Sequence, residues 1–469
     1  MPEPSSSPQA SAAIDVTREL LLKHDKPGPR YTSYPTAPEW NPDFGAKDYG
    51  IALGRASQDP QAPLSLYFHL PFCWERCLFC GCNVVISKRP EISDTYLDYL
   101  YREIDLVAKA LGDRRTVRQY HWGGGTPTYL DVNQIGALAD KIAATFDITD
   151  DAEIAIEVDP RVTTRQQLEV LRAHGFNRIS MGVQDLDPKV QAAITRNQTE
   201  EQTRRLFDQC RELGFQGINI DLIYGLPEQT PEGWGKTVES IIDIRPDRLA
   251  VYSYAHLPKM IKHQAKLEDF ARPTGPEKHD LFALARRRFL EGGYHAIGMD
   301  HFALPEDELS VALQERRLHR NFMGYTVVPA ADMIGLGVSA IGEIAGVYAQ
   351  NQKRPVKYYH AIDAGELPTM TGIVLSKDDE VRRWVIRQLM CNFHLVFSEL
   401  EAKFGVTYDE YFKEEEARLE EMYAEGFLVR EANELRVLPL GEAFIRNICM
   451  VFDAYLNRPS GHRQFSRTV

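Results

Sequence analysis

Four of the chain's seven cysteines, Cys73, Cys77, Cys80 and Cys82, fall within ten positions of one another. Thiolates are soft metal ligands, and in a reducing compartment so tight a group points to metal binding or redox chemistry rather than disulfides. Cys73, Cys77 and Cys80 have the spacing C-x3-C-x2-C. A structural zinc site is usually assembled from two separated pairs, whereas iron–sulfur clusters commonly take several thiolates from one loop. Three protein ligands on a four-iron cluster would leave one iron open to a substrate or cofactor. Zinc, or thiols with no shared task, stands as the alternative on spacing alone. Cys82, with one residue between it and Cys80, is poorly placed to serve the same cluster. Cys210, Cys391 and Cys449 lie in apolar surroundings and are expected as buried packing residues.

Other polar residues sit where a strand should end. His121-Trp122-Gly123-Gly124-Gly125-Thr126-Pro127 lacks the Gly-Lys-Ser/Thr ending of a phosphate loop, but its glycines permit close backbone approach to a ligand or form a simple turn. Alternation puts Glu157 and Asp159 of "IEVDPR" on one face. A ribose diol would suit such carboxylates; a salt bridge to Arg161 or Lys189 is the plainer alternative. Gln184, Arg196 and Asp221 are likewise polar near apolar runs, and Tyr67 and His69 share a side of the first run.

Positioning these groups requires a frame. From about residue 61 to 303, β-rich runs alternate with helical patterns: LSLYFHL (64–70), RQYHW (118–122), EIAIEV (153–158), RISMGV (178–183), GINIDLIY (217–224) and RLAVYSY (248–254). Between the first two, Leu97, Leu100, Ile104, Ala108 and Leu111 recur at helical spacing, with Ser93 as the expected cap and Gly112 as the stop. Ile135, Leu138 and Ile142 mark a second helix, and Leu168 and Leu171 a third that ends at Gly175. Nearly continuous apolar strands joined by helices imply a parallel sheet covered by helices.

The predicted fold is therefore α/β: a partial (β/α)6 TIM-like barrel with an N-terminal extension and a mainly helical C-terminal domain. Its site should lie at the C-terminal ends of the strands, where PFCWERC, GGGTPT, DPR, QDLD, GLPEQT and AHLP follow the apolar runs. Residues 1–60 are expected as the extension, a disordered tip over 1–13 followed by a substrate lid with few core residues. Residues 61–374 make the barrel and its extension, and residues 375–469 the C-terminal domain. That last region has a winged-helix outline, yet residues 401–430 carry nine Asp or Glu against four Lys or Arg, the wrong sign for phosphates.

With a formal net charge of −13 the chain should not adhere to nucleic acid or anionic lipid. It has no apolar run of the length a membrane span needs and no basic, apolar leader, so a cytoplasmic monomer is expected.

C-x3-C-x2-C directly after a first strand resembles the signature of the radical S-adenosylmethionine (SAM) enzymes, in which three cysteines hold a 4Fe–4S cluster and SAM chelates the open iron. The "GGGTP" segment resembles the one that binds the amino end of SAM. Beyond these, "GPRYTSYPT" (28–36), "HLPFC" with the following "FCGCN" (69–83), "IEVDPR", "MGVQD", "NIDLIYGLP", "YAHLP", "GMDHFA" (298–303), "GVSAI", "YAQNQ" and the terminal "QFSR" resemble the oxygen-independent coproporphyrinogen III oxidase family, from about residue 16 to the end.

That resemblance implies conversion of two propionates of coproporphyrinogen III to vinyl groups, giving protoporphyrinogen IX for haem biosynthesis without oxygen. It implies one 4Fe–4S cluster on Cys73, Cys77 and Cys80, with two SAM molecules. By motif position, Tyr67, Gly124, Glu157 and Ile341 contact the SAM on the cluster, while Phe79, Gly125, Thr126, Gln184, Arg196, Asp221 and Ala255 contact the second. The resemblance treats Cys82 as required for activity without being a ligand. An electron donor and an acceptor, unidentified from sequence, are implied as partners. Arg30, Arg161, Arg316, Arg317, His319 and Arg320 are candidates for holding substrate carboxylates. A haem-binding chaperone of the same superfamily is the rival reading; such relatives usually lack the fourth cysteine and the "RYTSYPT" segment, and both are present here. A haem-degrading radical SAM methyltransferase is a third.

Overall fold

The six apolar runs become six strands: β1 (Leu64–Leu70), β2 (Thr116–Gly124), β3 (Asp147–Val158), β4 (Arg178–Gln184), β5 (Gly217–Tyr224) and β6 (Arg248–Ser253). In this computed structural model, which describes residues 16–327, 332–456, 458, 465, 467 and 468, they pair in parallel in chain order. The expected tip at 1–13 lies outside the described residues, as do Gln464 and Ser466 of the terminal "QFSR".

Leu64, Leu66, Phe68 and Leu70 of β1 are buried against the helix layer with Leu97, Leu100 and Ile104. The intervening Tyr67 and His69 point to the opposite, inner side, as the period of two requires.

The sheet continues past both ends of the six. After β6, β7 (His295–Ile297) and β8 (His301–Ala303) add antiparallel strands at one edge. Beyond β1, β9 (Asp332–Leu336) pairs in parallel, and β10 (Ile341–Ile344), β11 (Val347–Asn351) and β12 (Thr369–Val374) follow as antiparallel neighbours. The result is a twelve-stranded sheet in the order β12-β11-β10-β9-β1-β2-β3-β4-β5-β6-β8-β7.

Two local expectations change. The first crossover helix, Ile92–Leu111, has Glu91 rather than Ser93 at its N-cap. Ser93 is fully buried in the first turn, where its hydroxyl donates to the Pro90 carbonyl at 2.6 Å, so it cannot cap. Gly112 does end the helix, at φ 57°. The second change concerns the N-terminal segment, which is not poor in core residues. Tyr31, Tyr34, Trp40, Phe44, Tyr49 and Leu53 are all buried. Tyr31 and Tyr34 join the C-terminal core, the Tyr31 hydroxyl donating to Asp453 at 3.0 Å, while Phe44, Tyr49 and Leu53 join the barrel core.

The C-terminal region opens with the helix Lys377–Asn392, capped by Ser376 and Asp379. The strand Glu434–Val437 pairs antiparallel with both Leu428–Glu431 and His394–Val396. The ribbon within the expected winged-helix outline thus carries a third strand, from the residues that follow the first helix. Cys391 and Cys449 are buried in this core and Cys210 in that of the barrel.

One buried network ties the sheet extension to the rim. Glu103, on the helix Ile92–Leu111, accepts hydrogen bonds from the Gly337 N–H at 2.7 Å, the Asn351 amide at 2.6 Å and the Tyr358 hydroxyl at 2.6 Å. From the same helix, the Tyr96 hydroxyl donates to the His69 carbonyl at 2.6 Å and accepts from the Val338 N–H at 3.0 Å. The end of β1 and the turn leading to Ile341 are thus held by one helix. Burial pushes the Glu103 carboxyl up to about 7 against the pull of its three donors. Glu103→Ala strands three buried polar groups and should lower the unfolding free energy by about 3 kcal/mol. Urea denaturation showing wild-type stability would contradict this role.

Candidate active site

A cavity of about 750 Å³ opens at the C-terminal ends of the parallel strands. The cysteine loop forms one side, and the ends of β2 to β6 supply the other. Its position follows from the loop's attachment to the sheet. The Gly125 N–H donates to the Leu70 carbonyl at 2.9 Å, and the Thr126 N–H to the Phe72 carbonyl at 2.8 Å. A Cβ on Gly125 would lie 2.7 Å from backbone atoms of Pro71 and Phe72, so only glycine lets the two segments touch. At the end of β4, Gln184 adopts φ 72°. That conformation is uncommon for a residue with a side chain, and it is held here beside a cavity.

Each of the three candidate cluster ligands has a donor on its sulfur. Cys77 Sγ accepts from Arg161 Nη2 at 3.7 Å and from Arg196 Nη1 at 3.6 Å. Cys73 Sγ lies 3.5 Å from Thr126 Oγ1, and Cys80 Sγ accepts from the Cys82 backbone N–H at 3.4 Å. Among the described residues no three His, Cys, Asp or Glu side chains are placed to hold a single metal ion. Donors on separated thiolates fit an iron–sulfur cluster, whose ligands bind different irons and whose sulfurs take outer hydrogen bonds.

The carboxylates divide by environment. Asp159 accepts from Arg161 at 2.7 Å and lies 3.4 Å from Arg196. Burial opposes its ionisation, but the charge of Arg196 and the hydrogen bonds of Arg161 hold its carboxyl below the usual range. The salt-bridge reading thus describes Asp159. Glu157 makes only longer contacts, with His121 Nε2 at 3.3 Å and the Gly124 N–H at 3.2 Å. These still outweigh burial and keep it ionised, with its side chain 42% exposed. Asp221 accepts from Asn219 at 2.7 Å and Ser180 at 3.2 Å, and burial together with the charge of Glu157 pushes it up to about 6.

The cavity gathers Cys73, Cys77, Phe79, Cys80 and Cys82 with Gly124, Gly125 and Thr126. From the later strands come Glu157, Gln184 and Asp221, and from the loop after the helix Pro188–Ala193 comes Arg196. Three expected residues stand apart. Tyr67 lies behind Gly123, its ring 6.0 Å from that of His121 and its hydroxyl 3.2 Å from His69 Nδ1. Ile341 starts β10, its backbone packed on Gly335. Ala255 lines a neighbouring cavity of about 1070 Å³. Gln264 bridges the two cavities, donating to the Phe79 carbonyl at 2.9 Å and the Ala255 carbonyl at 3.2 Å.

The candidate cations separate. Arg161 faces the smaller cavity from its pairing with Asp159, and Arg30 lines the larger, 2.5 Å from Asp300. Arg316, Arg317, His319 and Arg320 line neither cavity. Arg316 donates to His394, Arg317 pairs with Glu315, and Arg320 donates to the Arg30 carbonyl at 2.7 Å. Sequence reasoning missed Tyr252 and Ser180 on the smaller cavity wall. Their inward phase in β6 and β4 was the available signal.

A model of the radical SAM superfamily matches residues 67–241, and one of the HemN C-terminal domain matches residues 375–444. The oxygen-independent coproporphyrinogen III oxidase of Salmonella typhimurium is 45% identical over 456 residues, covering 97% of this chain and 99% of the relative. Its namesakes from Escherichia coli and Pseudomonas aeruginosa are 44% and 42% identical, with 99% and 98% of the relatives covered. The solved structure of coproporphyrinogen III oxidase (HemN) from Escherichia coli, described as a radical SAM enzyme, superposes with a TM-score of 0.89 at 44% identity. That match covers 95% of this chain and 100% of the other.

Gly125→Ala must drive the glycine turn away from the cysteine loop. The expected cost is about 1–3 kcal/mol of stability, with a lower iron-to-protein ratio after anaerobic reconstitution. Gly136→Ala, in the helix Val132–Thr145 with its nearest obstacle 3.7 Å from the new Cβ, should raise stability by about 0.5–1 kcal/mol and leave the iron content unchanged. Equal behaviour of the two variants would contradict the packing argument.

Proposed function

Because the chain belongs to the oxygen-independent coproporphyrinogen III oxidase family, we infer that it oxidatively decarboxylates two propionates of coproporphyrinogen III to vinyl groups, yielding protoporphyrinogen IX without oxygen. The observation that carries this reading is the convergence of the cysteine loop, the glycine turn and the polar ends of β3 to β5 on one cavity. Breaking an unactivated C–H bond exceeds what side-chain acids and bases can do. When bound, a 4Fe–4S cluster and SAM supply a carbon-centred radical able to take that hydrogen.

The protein's share is positional. Cys73, Cys77 and Cys80 would hold the cluster, with the Arg161, Arg196 and Thr126 side chains and the Cys82 N–H on their sulfurs. The ionised Glu157, beside the Gly124 N–H, suits the polar groups of a first SAM, with Tyr67 and Ile341 behind it. Phe79, Gly125, Thr126, Gln184, Arg196 and Asp221 would hold a second, and Ala255 would bound it on the side of the larger cavity. Asp221, pushed up to about 6, can accept a hydrogen bond from a ribose hydroxyl. The enzyme is read as a cytoplasmic monomer that draws on separate electron donors and acceptors; among the described residues no helix is long and apolar enough to cross a membrane.

Anaerobic incubation of the reconstituted protein with coproporphyrinogen III, SAM and a reductant should form vinyl product. Tight haem binding without turnover would instead favour a haem chaperone. Cys82→Ser should retain the cluster's iron, since the Cys82 backbone N–H on Cys80 Sγ does not depend on the side chain, and should lose product formation. Loss of iron in that variant would make Cys82 a ligand.

A further inference from the structure

The larger cavity, beyond the end of β6, has no assigned occupant. Seven Lys or Arg side chains and four Asp or Glu line it, an excess of cations in a chain whose net charge is −13. Three of these cations pair with carboxylates of the same wall, and a fourth, Arg446, donates to the Gly28, Pro29 and Arg467 carbonyls. Arg30 pairs with Asp300, Arg286 with Glu442 and Arg467 with Asp25.

Two cations differ. Arg272 has its Nη1 buried without a hydrogen-bond partner among the described residues. Lys278, on the helix Gly275–Glu291, meets no carboxylate within ion-pair distance among them, and its ammonium donates to the Tyr254 carbonyl at 2.9 Å. The fold makes room for that side chain. Gly225, at φ 81°, follows β5 at a point where a Cβ would fall 2.6 Å from Lys278 Cε. Burial pulls the Lys278 ammonium down to about 8, Asp25 pulling it back and Arg30 pushing it further. A buried cation without an anion costs free energy, and a bound carboxylate would offset that cost.

The cavity also adjoins the first. Tyr252 faces the smaller cavity, Ser253 to Leu257 line the larger, and the Arg30 guanidinium sits 6.0 Å from the Tyr252 ring. A ligand in the larger cavity can therefore present one edge to the radical site.

We propose that Arg272 and Lys278 bind carboxylates of the substrate propionates that are not reacting, so that the larger cavity is the tetrapyrrole site. This rests on the function inferred above. Each contact is a charge-assisted hydrogen bond in a partly dry site, the kind that fixes orientation as well as affinity.

The test is equilibrium binding of fluorescent coproporphyrin III, which carries the same propionates, to the anaerobically reconstituted holoenzyme, beside its tetramethyl ester. Wild-type protein should bind the free acid at least tenfold more tightly than the ester. Arg272→Met and Lys278→Met should each weaken acid binding about tenfold and the double variant about a hundredfold, the scale of lost charged hydrogen bonds. Lys278→Arg should restore most of the loss, and ester binding should not change. The acid–ester comparison on wild-type protein needs no variant to fold. Equal affinity for acid and ester, or unchanged acid affinity in both Met variants, would overturn the assignment. Wild-type protein that neither binds the porphyrin nor forms vinyl product would overturn the functional reading and this inference with it.

Discussion

Two backbone hydrogen bonds, from Gly125 to Leu70 and from Thr126 to Phe72, set the geometry on which the site depends. They fasten the start of the cysteine loop to the end of β2, so the thiols stand over the strand ends rather than in solvent. No side chain can replace Gly125 without separating the two segments. The strand ends then act as a fixed floor, because β1 to β6 are hydrogen-bonded in parallel register. Precision at the rim is inherited from the sheet, and loops alone could not supply it.

Electrostatics refines what this packing begins. Arg161 and Arg196 serve Asp159 and Cys77 together, so one carboxylate fixes two guanidinium groups against a thiolate position. Asp159 is thereby committed to structure. Glu157, with looser partners, keeps oxygen lone pairs available to a ligand. Asp221 is raised partly by the charge of Glu157, so these two carboxylates, on β3 and β5 with β4 between them, respond to one another. A cationic ligand between them would favour ionisation of both.

The barrel was legible because its signals are local and repetitive. Continuous apolar runs such as LSLYFHL and GINIDLIY match their strands end to end, and the helical periodicity from Leu97 to Leu111 lies inside the helix that forms. The sheet extension was not legible. β9 to β12 are short, joined largely by hairpins, and their apolar residues mix with glycine and polar side chains, which leaves no period to read. Ser93 misled for a related reason. Its residue type suits a cap, but tertiary burial beneath Pro90 and Gln134 overrode that preference. The motif residues of the smaller cavity could be placed from strand ends alone. Arg316, Arg317 and Arg320 could not, because cations near one another in sequence leave no trace of which carbonyl or carboxylate they will meet.

The N-terminal segment shows how tertiary structure changes a functional expectation. Read as sequence, it is a substrate lid with few core residues. In the fold, Tyr31 and Tyr34 are anchored in the C-terminal core, with hydrogen bonds involving Asp453 and Ala454, and Arg446 donates to the carbonyls of Gly28 and Pro29. Arg30 lies between these anchors, with its backbone carbonyl held by Arg320 and its side chain by Asp300. A segment pinned on both sides of Arg30 is poorly suited to swing away as a lid. It is well suited to hold one guanidinium at a fixed place on the wall of the larger cavity. The C-terminal helices, which carry none of the cysteine chemistry, therefore act on the site by fixing the segment that closes this wall.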